Sequence, residues 1–388
     1  TKRATFASQY GLQDYDIEEW TARDPASIGI TRSVFGYELA AGAGDELAGE
    51  EGLAHFCEHT TFKGTAHRNA IDIINALESV GGELNAFTTK AHTVFYAALL
   101  HEHIARAVDL LSDIVFQSVY PQQEIDKEVE VICDEIESYN DSPSELIYDE
   151  FENIIFEGTP LGHNILGTAD HVRQFKTAEQ SDLQVGPTVP SPERAVFFAS
   201  GDVSFDHLVS LLCEALHTVV GSSPLANDEA DIQAGEGQAH QLPISSYLQG
   251  KIFKKQRDTH QAHVVMGCHG YAVSHPRRIA LYLLNNILGG PGMNARLNLS
   301  LRERNGLVYT VESTSVNYAQ TGLWCIYFGC DHADVDRCLA LVRDELDAFI
   351  QEPLEEEALK KAQQQIKGQI ALACDNRENF AIDFGKSF

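Results

Sequence analysis

Apolar positions along the chain keep two periods, and the order in which those periods follow one another occurs twice. From Leu77, LESVGGELNAFTTKAHTVFYAALLHEHIARAVDLLSDIV runs from a helix end through a glycine turn into two strands. It then enters a helix whose Ile104, Val108, Leu111 and Val115 fall on one face. From Leu301, LRERNGLVYTVESTSVNYAQTGLWCIYFGCDHADVDRCLALVRDEL repeats that order, an offset of about 230 residues. A long polar helix follows each copy: EIDKEVEVICDEIESYNDSPSELIYDEFENIIF in the first, LEEEALKKAQQQIKGQIALACDNRENFAIDFGKSF in the second. Between the copies, VVGSSPLANDEADIQAGEGQAHQLP is small, polar and glycine-containing, and reads as linker. The pattern therefore predicts an α+β chain of two homologous domains, residues 1–220 and 250–388, joined by a linker over 221–249. Each domain is expected to be an antiparallel sheet with helices packed on one face.

The two copies differ at their ends. The first continues through PLGHNILGTADHVRQF into a strand at ERAVFFASGDV, whereas the second stops at Phe388, so a C-terminal domain cut short is expected. Near the start, IEEWTARDPASIGITRSVFGYELAAGAGDEL gives one strand-like run, with no obvious glycine turn before it.

Composition narrows the function. With 388 residues, 44% of them hydrophobic, the chain can bury two cores. No apolar run approaches the ~20 residues of a membrane span. The opening TKRATFASQYGLQDYDIEEW lacks the apolar centre of a signal peptide, so a cytoplasmic protein is expected. Eight scattered cysteines without a CxxC pair argue against a disulfide framework or a zinc knuckle, and fit a reducing compartment. A net charge of −29 argues against nucleic acid as a partner, because phosphates would be repelled. The charge leaves two readings open: an acidic surface or chamber that attracts basic peptides, or general solvation in a salty cytoplasm.

Candidate chemistry begins in GLAHFCEHTTF, residues 52–62. On a helix, His55 and His59 lie four apart and project from one face, where two imidazoles can share a zinc ion. Glu58 sits beside His59, within reach of a water on that metal. Cys57 points away from both histidines and reads as core. A third ligand is not local. The long helix of the first copy offers Glu128 and Glu135, two turns apart, but Glu124, Glu130, Asp134 and Glu137 crowd the same segment. Spacing alone does not choose among them.

HFCEH is an HxxEH motif. With its context, EGLAHFCEHTTFKGT, GGELNAFTTKAHTVFYA and EVEVICDEIESY, the chain resembles the pitrilysin/insulinase zinc peptidases. Among these it is most similar to the short members of mitochondrial processing peptidase type, over residues from about 30 to 388. In that family a glutamate 76 residues after the second histidine completes the metal site, which corresponds to Glu135, and Glu128 corresponds to a supporting carboxylate. The resemblance implies one zinc ion (Zn2+) per chain. In the second copy, NNILGGPGMNARLNLSLRERNGLVYTV resembles the family's glycine-rich loop and helix, where an arginine and a tyrosine seven apart bind substrate backbone and the oxyanion. Those roles correspond to Arg302 and Tyr309. Asn85, Ala86 and Phe87 correspond to an edge strand on which substrate adds as a further strand.

The second copy lacks HxxEH and has Lys361 and Gln365 where the first has carboxylates, so it is not expected to bind zinc in the same way. Members about twice this length set the zinc domain against an Arg–Tyr domain from the opposite half of a clamshell. This chain holds both parts in one half, which implies a homodimer with each site completed in trans. The expected reaction is peptide hydrolysis by zinc-activated water, with Glu58 as general base and Tyr309, with Arg302, stabilising the oxyanion. Two alternatives are a non-catalytic scaffold or partner subunit, and a metal-dependent hydrolase of a non-peptide substrate. Retention of both HxxEH and the Arg–Tyr pair argues against the scaffold.

Overall fold

The computed structural model describes residues 32–175, 194–220 and 250–386. Its first half runs β1 (Arg32–Leu39), α1 (Leu53–Thr61), α2 (Ala70–Glu78), β2 (Glu83–Thr88), β3 (Thr93–Leu100) and α3 (Ile104–Phe116). There follow α4 (Gln122–Asn140), α5 (Pro143–Ile155), α6 (Ala169–Val172), β4 (Ala195–Ser200) and α7 (Phe205–Val220). The second half runs β5 (Ala262–Gly270), α8 (Arg278–Gly289), a π-helix (Asn298–Glu303), β6 (Val308–Asn317) and β7 (Gly322–Cys330). It ends in α9 (Val335–Gln351), α10 (Glu356–Ala373) and α11 (Arg377–Gly385). The first sheet has the order β2-β3-β1-β4 and the second β5-β7-β6, with every pairing antiparallel.

The repeat read from the sequence is thus a repeat of structure. β5, β6 and β7 stand to one another as β1, β2 and β3 do, which bears out two homologous antiparallel α+β units. Among the described residues no strand pairs with the outer edge of β5, the place that β4 takes beside β1. The proposed linker over 221–249 and the N-terminal segment 1–31 lie outside the described residues. Among the described residues no helix is long and apolar enough to cross a membrane.

β1 and β3 are buried along almost their whole length because both faces of the first sheet are covered. On one face Phe35, Tyr37, Phe95 and Ala97 meet Val108 and Leu111 of α3. On the other, Val34, Val94, Ala98 and Phe198 meet Ala381 and Ile382 of α11, a helix that belongs by sequence to the second copy. The exchange is mutual. α5, from the first copy, lies on the second sheet, with the ring of Tyr148 5.3 Å from that of Tyr327 and Phe156 5.5 Å from His269.

The exchange requires a correction to the sequence reading. Each long polar helix is two helices. In the first copy the break falls at Asp141 and Ser142, before Pro143. Proline has no N–H to continue the ladder and drives the residue before it out of the α region, and Ser142 has φ −104° and ψ 87°. In the second copy Asn376 stops the run and caps α11, its side chain accepting the Asn379 N–H. The chain turns at each break, and the second piece crosses to the other sheet.

Candidate metal centre

α1 is fixed at its N-terminus before any metal chemistry is considered. Gly52 has φ 99°, and a Cβ there would lie 2.7 Å from the Leu166 carbonyl oxygen, so only glycine fits. The Glu46 carboxylate accepts the N–H groups of Gly52 at 3.0 Å and Ala54 at 2.7 Å, satisfying orphan donors and facing the positive end of the helix dipole. His163 Nε2 lies 2.8 Å from the same carboxylate. Leu53 and Phe56 then pack against Ile125, Ile132, Cys133 and Ile136 of α4.

That seam decides which carboxylates meet the histidines. Ile125, Ile132 and Ile136 form the apolar stripe of α4, and Glu128 and Glu135 interrupt it at helical spacing. Both therefore face α1, whereas Glu130, Asp134 and Glu137 do not belong to the stripe. Glu135 Oε2 lies 3.7 Å from His55 Nε2 and 3.3 Å from His59 Nε2, and the three donor atoms lie within 4.8 Å of one another. A tetrahedral zinc with bonds of ~2.0–2.2 Å sets its ligand atoms ~3.3–3.6 Å apart, so this donor set fits the ion. It is the one cluster of three or more such side chains among the described residues.

The surroundings hold these groups in place. Glu128 takes the His59 Nδ1–H on Oε1 at 3.0 Å and the Lys63 ammonium on Oε2 at 2.6 Å. His59 then has Nε2 left to face Glu135, the carboxylate–histidine arrangement typical of metal ligands. Burial and the charge on His59 push His55 down to about 4. Burial pulls His59 down too, but its hydrogen bonds to Glu128 and Glu135 outweigh that and carry it up to about 9. The hydrogen bond with His59 lowers Glu135. For Glu128, burial is outweighed by hydrogen bonds from His59 and Lys63, and its pKa falls.

Glu58 is buried on the same helix. Burial raises its pKa even though Thr88 Oγ1 donates to its Oε2 at 2.6 Å. Cys57 packs instead against the seam between α1 and α4, and burial pushes its thiol up to about 12, as a core cysteine rather than a ligand.

The remaining candidates fall in two places. Asn85, Ala86 and Phe87 lie on β2, the edge of the first sheet. Their side chains alternate: Leu84 and Ala86 pack toward the α3 core, and Phe87 joins Tyr96 on the α11 face. Asn85 is directly opposite Tyr96, whose hydroxyl donates to Glu378 of α11 at 3.0 Å. What the three residues share is backbone on an open strand edge. Arg302 lies in the last turn of the π-helix, its Cζ 5.5 Å from the centre of the Tyr309 ring. Tyr309 is 79% exposed. The structure brings this pair together but, among the described residues, gives it no hydrogen bond or ion pair to His55, His59, Glu58 or Glu135. In the second copy Gln365 exchanges hydrogen bonds with Asn294, and no metal cluster forms there among the described residues.

Sequence reasoning missed Lys63 and Thr88. Both act through partners far away in the chain, which no local pattern announces. The choice of Glu128 and Glu135 was legible in principle, since they alone among the crowded carboxylates replace apolar residues of the stripe.

Two family models match the chain, one in each half. The model described as insulinase, peptidase family M16, matches residues 30–169, and that described as the peptidase M16 inactive domain matches residues 187–366. An uncharacterized zinc protease of Streptomyces coelicolor is 31% identical over 366 residues, covering 92% of this chain and 76% of that protein. Another from Bacillus subtilis is 30% identical over 357 residues, covering 92% and 83%. In fold, the chain is similar to a protease from Helicobacter pylori, with TM-score 0.75 at 18% identity over 92% of this chain and 83% of that one. A peptidase M16 inactive domain from Pseudomonas fluorescens gives TM-score 0.72 at 18% identity over 87% and 78%. Matched in both halves and over most of the length of relatives named as zinc proteases, the chain belongs to peptidase family M16, the insulinase or pitrilysin type.

Proposed function

We propose that the protein is a zinc-dependent endopeptidase, holding one Zn2+ per chain on His55, His59 and Glu135. The observation that carries this reading is the three-donor cluster at zinc spacing with the buried Glu58 on the same helix. Bound there, zinc supplies Lewis acidity that polarises the scissile carbonyl and acidifies the attacking water toward pKa ~7. Glu58 takes the proton of that water and hands it to the leaving amine, a role suited to a carboxyl held above its usual range. Glu128 and Lys63 hold His59 in the tautomer that presents Nε2.

The substrate is a peptide or an unfolded protein segment, added along the open edge of β2 as a further antiparallel strand. Backbone groups of residues 85–87 give it register there. The exposure of Tyr309 and its stacking with Arg302 support a pair that serves a second chain: two protomers close a chamber, and each lends its Arg–Tyr pair to the other's metal site. The net charge of −29 favours basic peptides within such a chamber. A scaffold role draws support from the inactive-domain match, but that match covers the half without the metal cluster.

The test is zinc content alongside cleavage of a quenched basic peptide, for the wild type and for Glu58→Gln. The wild type is expected to hold one zinc and cleave. The variant is expected to hold the same zinc and lose activity by about 10²- to 10⁴-fold, the usual contribution of a general base. Stoichiometric zinc with no cleavage of any peptide by the wild type would favour the scaffold. Loss of zinc in the variant would make Glu58 a ligand.

A further inference from the structure

The carboxyl of Glu58 is held from the sheet. Thr88 is the last residue of β2, and its Oγ1 lies 2.6 Å from Glu58 Oε2 and 3.4 Å from Thr93 Oγ1. Thr93 directs its own hydroxyl proton to the Ala41 carbonyl at 2.9 Å. A carboxylate at the shorter distance is the stronger acceptor, so the single proton of Thr88 goes to Glu58. The hydroxyl rests on a rigid element: Thr88 is directly opposite Thr93, and the hairpin closes with the Thr89 N–H donating to the His92 carbonyl at 2.7 Å. Among the described residues no hydrogen bond takes Oε1 of Glu58.

We propose that Thr88 is a positioning residue for Glu58, its hydroxyl pinning Oε2 so that Oε1 is the oxygen that exchanges the proton. This rests on the reading of Glu58 as general base. The second copy supplies an internal comparison. There too a hydroxyl ties a strand to a helix, within β6 rather than at its end: the Ser313 hydroxyl donates to Oδ1 of Asn285 on α8. Asn285 Nδ2 also donates to the Ser313 carbonyl at 2.8 Å, and its Oδ1 accepts the Trp324 Nε1–H at 3.1 Å. There both the oxygen and the nitrogen of the amide have partners, and the contact ties helix to sheet. In the first copy a strand-to-helix contact of that kind ends on a carboxyl whose other oxygen takes no hydrogen bond among the described residues.

The test compares Thr88→Val, Thr88→Ser and Ser313→Ala with the wild type, measuring zinc content, kcat and KM on one quenched peptide. Thr88→Val is expected to keep its zinc and its KM while kcat falls about 10- to 100-fold, the scale of a misaligned reacting group. Thr88→Ser restores kcat because it keeps the donor. Ser313→Ala lowers the denaturation midpoint and leaves kcat unchanged. Unaltered kcat in Thr88→Val, with an active wild type, would overturn the proposal and leave the peptidase reading standing. A raised KM with kcat intact would assign Thr88 to the substrate strand. Loss of zinc or of the folded state would make the hydroxyl a tie like that of Ser313, which equally overturns it. A wild type that holds zinc and cleaves nothing would remove the general base, and the proposal with it.

Discussion

Glu135 and Glu128 lie seven residues apart on one helix, yet they hold different things. Glu135 Oε2 faces both histidine Nε2 atoms, while Glu128 is occupied by His59 Nδ1 and Lys63. Removing charge from the first deletes a donor to the ion. Removing it from the second only frees a ring that still points the right way. Glu135→Gln is therefore expected to lose most of its zinc, whereas Glu128→Gln should weaken zinc binding by about 10- to 100-fold, as loss of a ligand's hydrogen-bond partner does. Competition against a chelator of known affinity measures both. The opposite order would exchange the two roles. At this scale the sequence shows the two histidines and Glu58, because i, i+4 spacing is a local property. It does not show Lys63 or Thr88, since the bond from Thr88 to Glu58 depends on where β2 passes under α1.

Single elements matter here through how they end. α1 carries three of the proposed site residues within one turn, so its start fixes where they point. Gly52 supplies a left-handed φ at that start, and the Leu166 carbonyl leaves no room for a side chain. Gly52→Ala is expected to destabilise the fold by about 1–3 kcal/mol, the scale of a strained non-glycine backbone, and to weaken zinc binding because α1 must shift to relieve the contact. Chemical denaturation and zinc titration measure the two effects. Unchanged affinity would mean that the Glu46 cap and the α4 seam hold α1 without the glycine. The order glycine turn, strand, strand, amphipathic helix was legible from periodicity in both copies, because those strands and that helix share a core on one face of each sheet. The exchange of α5 and α11 was not. A helix that packs across to the other copy has the same apolar stripe as one that packs at home, and only the breaks at Ser142 and Asn376 hint that the path turns.

At the scale of the whole molecule, the two copies carry different side chains: one the three-donor cluster that could hold a metal and the other an exposed arginine–tyrosine pair. Tyr309 is 79% exposed, so the role proposed for it requires something that arrives from outside its own chain. If that is a second protomer as well as substrate, the two defects of a Glu58→Gln homodimer and a Tyr309→Phe homodimer are complementary. Mixing them under conditions of subunit exchange gives roughly half heterodimers on statistical grounds, each with one intact site in which Glu58 and Tyr309 come from different chains. Activity is expected to recover toward about a quarter of wild type, since half the dimers then carry one good site of two. If Glu58 and Tyr309 serve within one chain, each heterodimer site keeps one defect and mixing restores nothing. The arithmetic does not depend on how severe the tyrosine variant is, provided its own residual rate is subtracted. A flat result, with exchange verified by differently labelled protomers, would confine each site to a single chain while leaving the metal ligands as assigned.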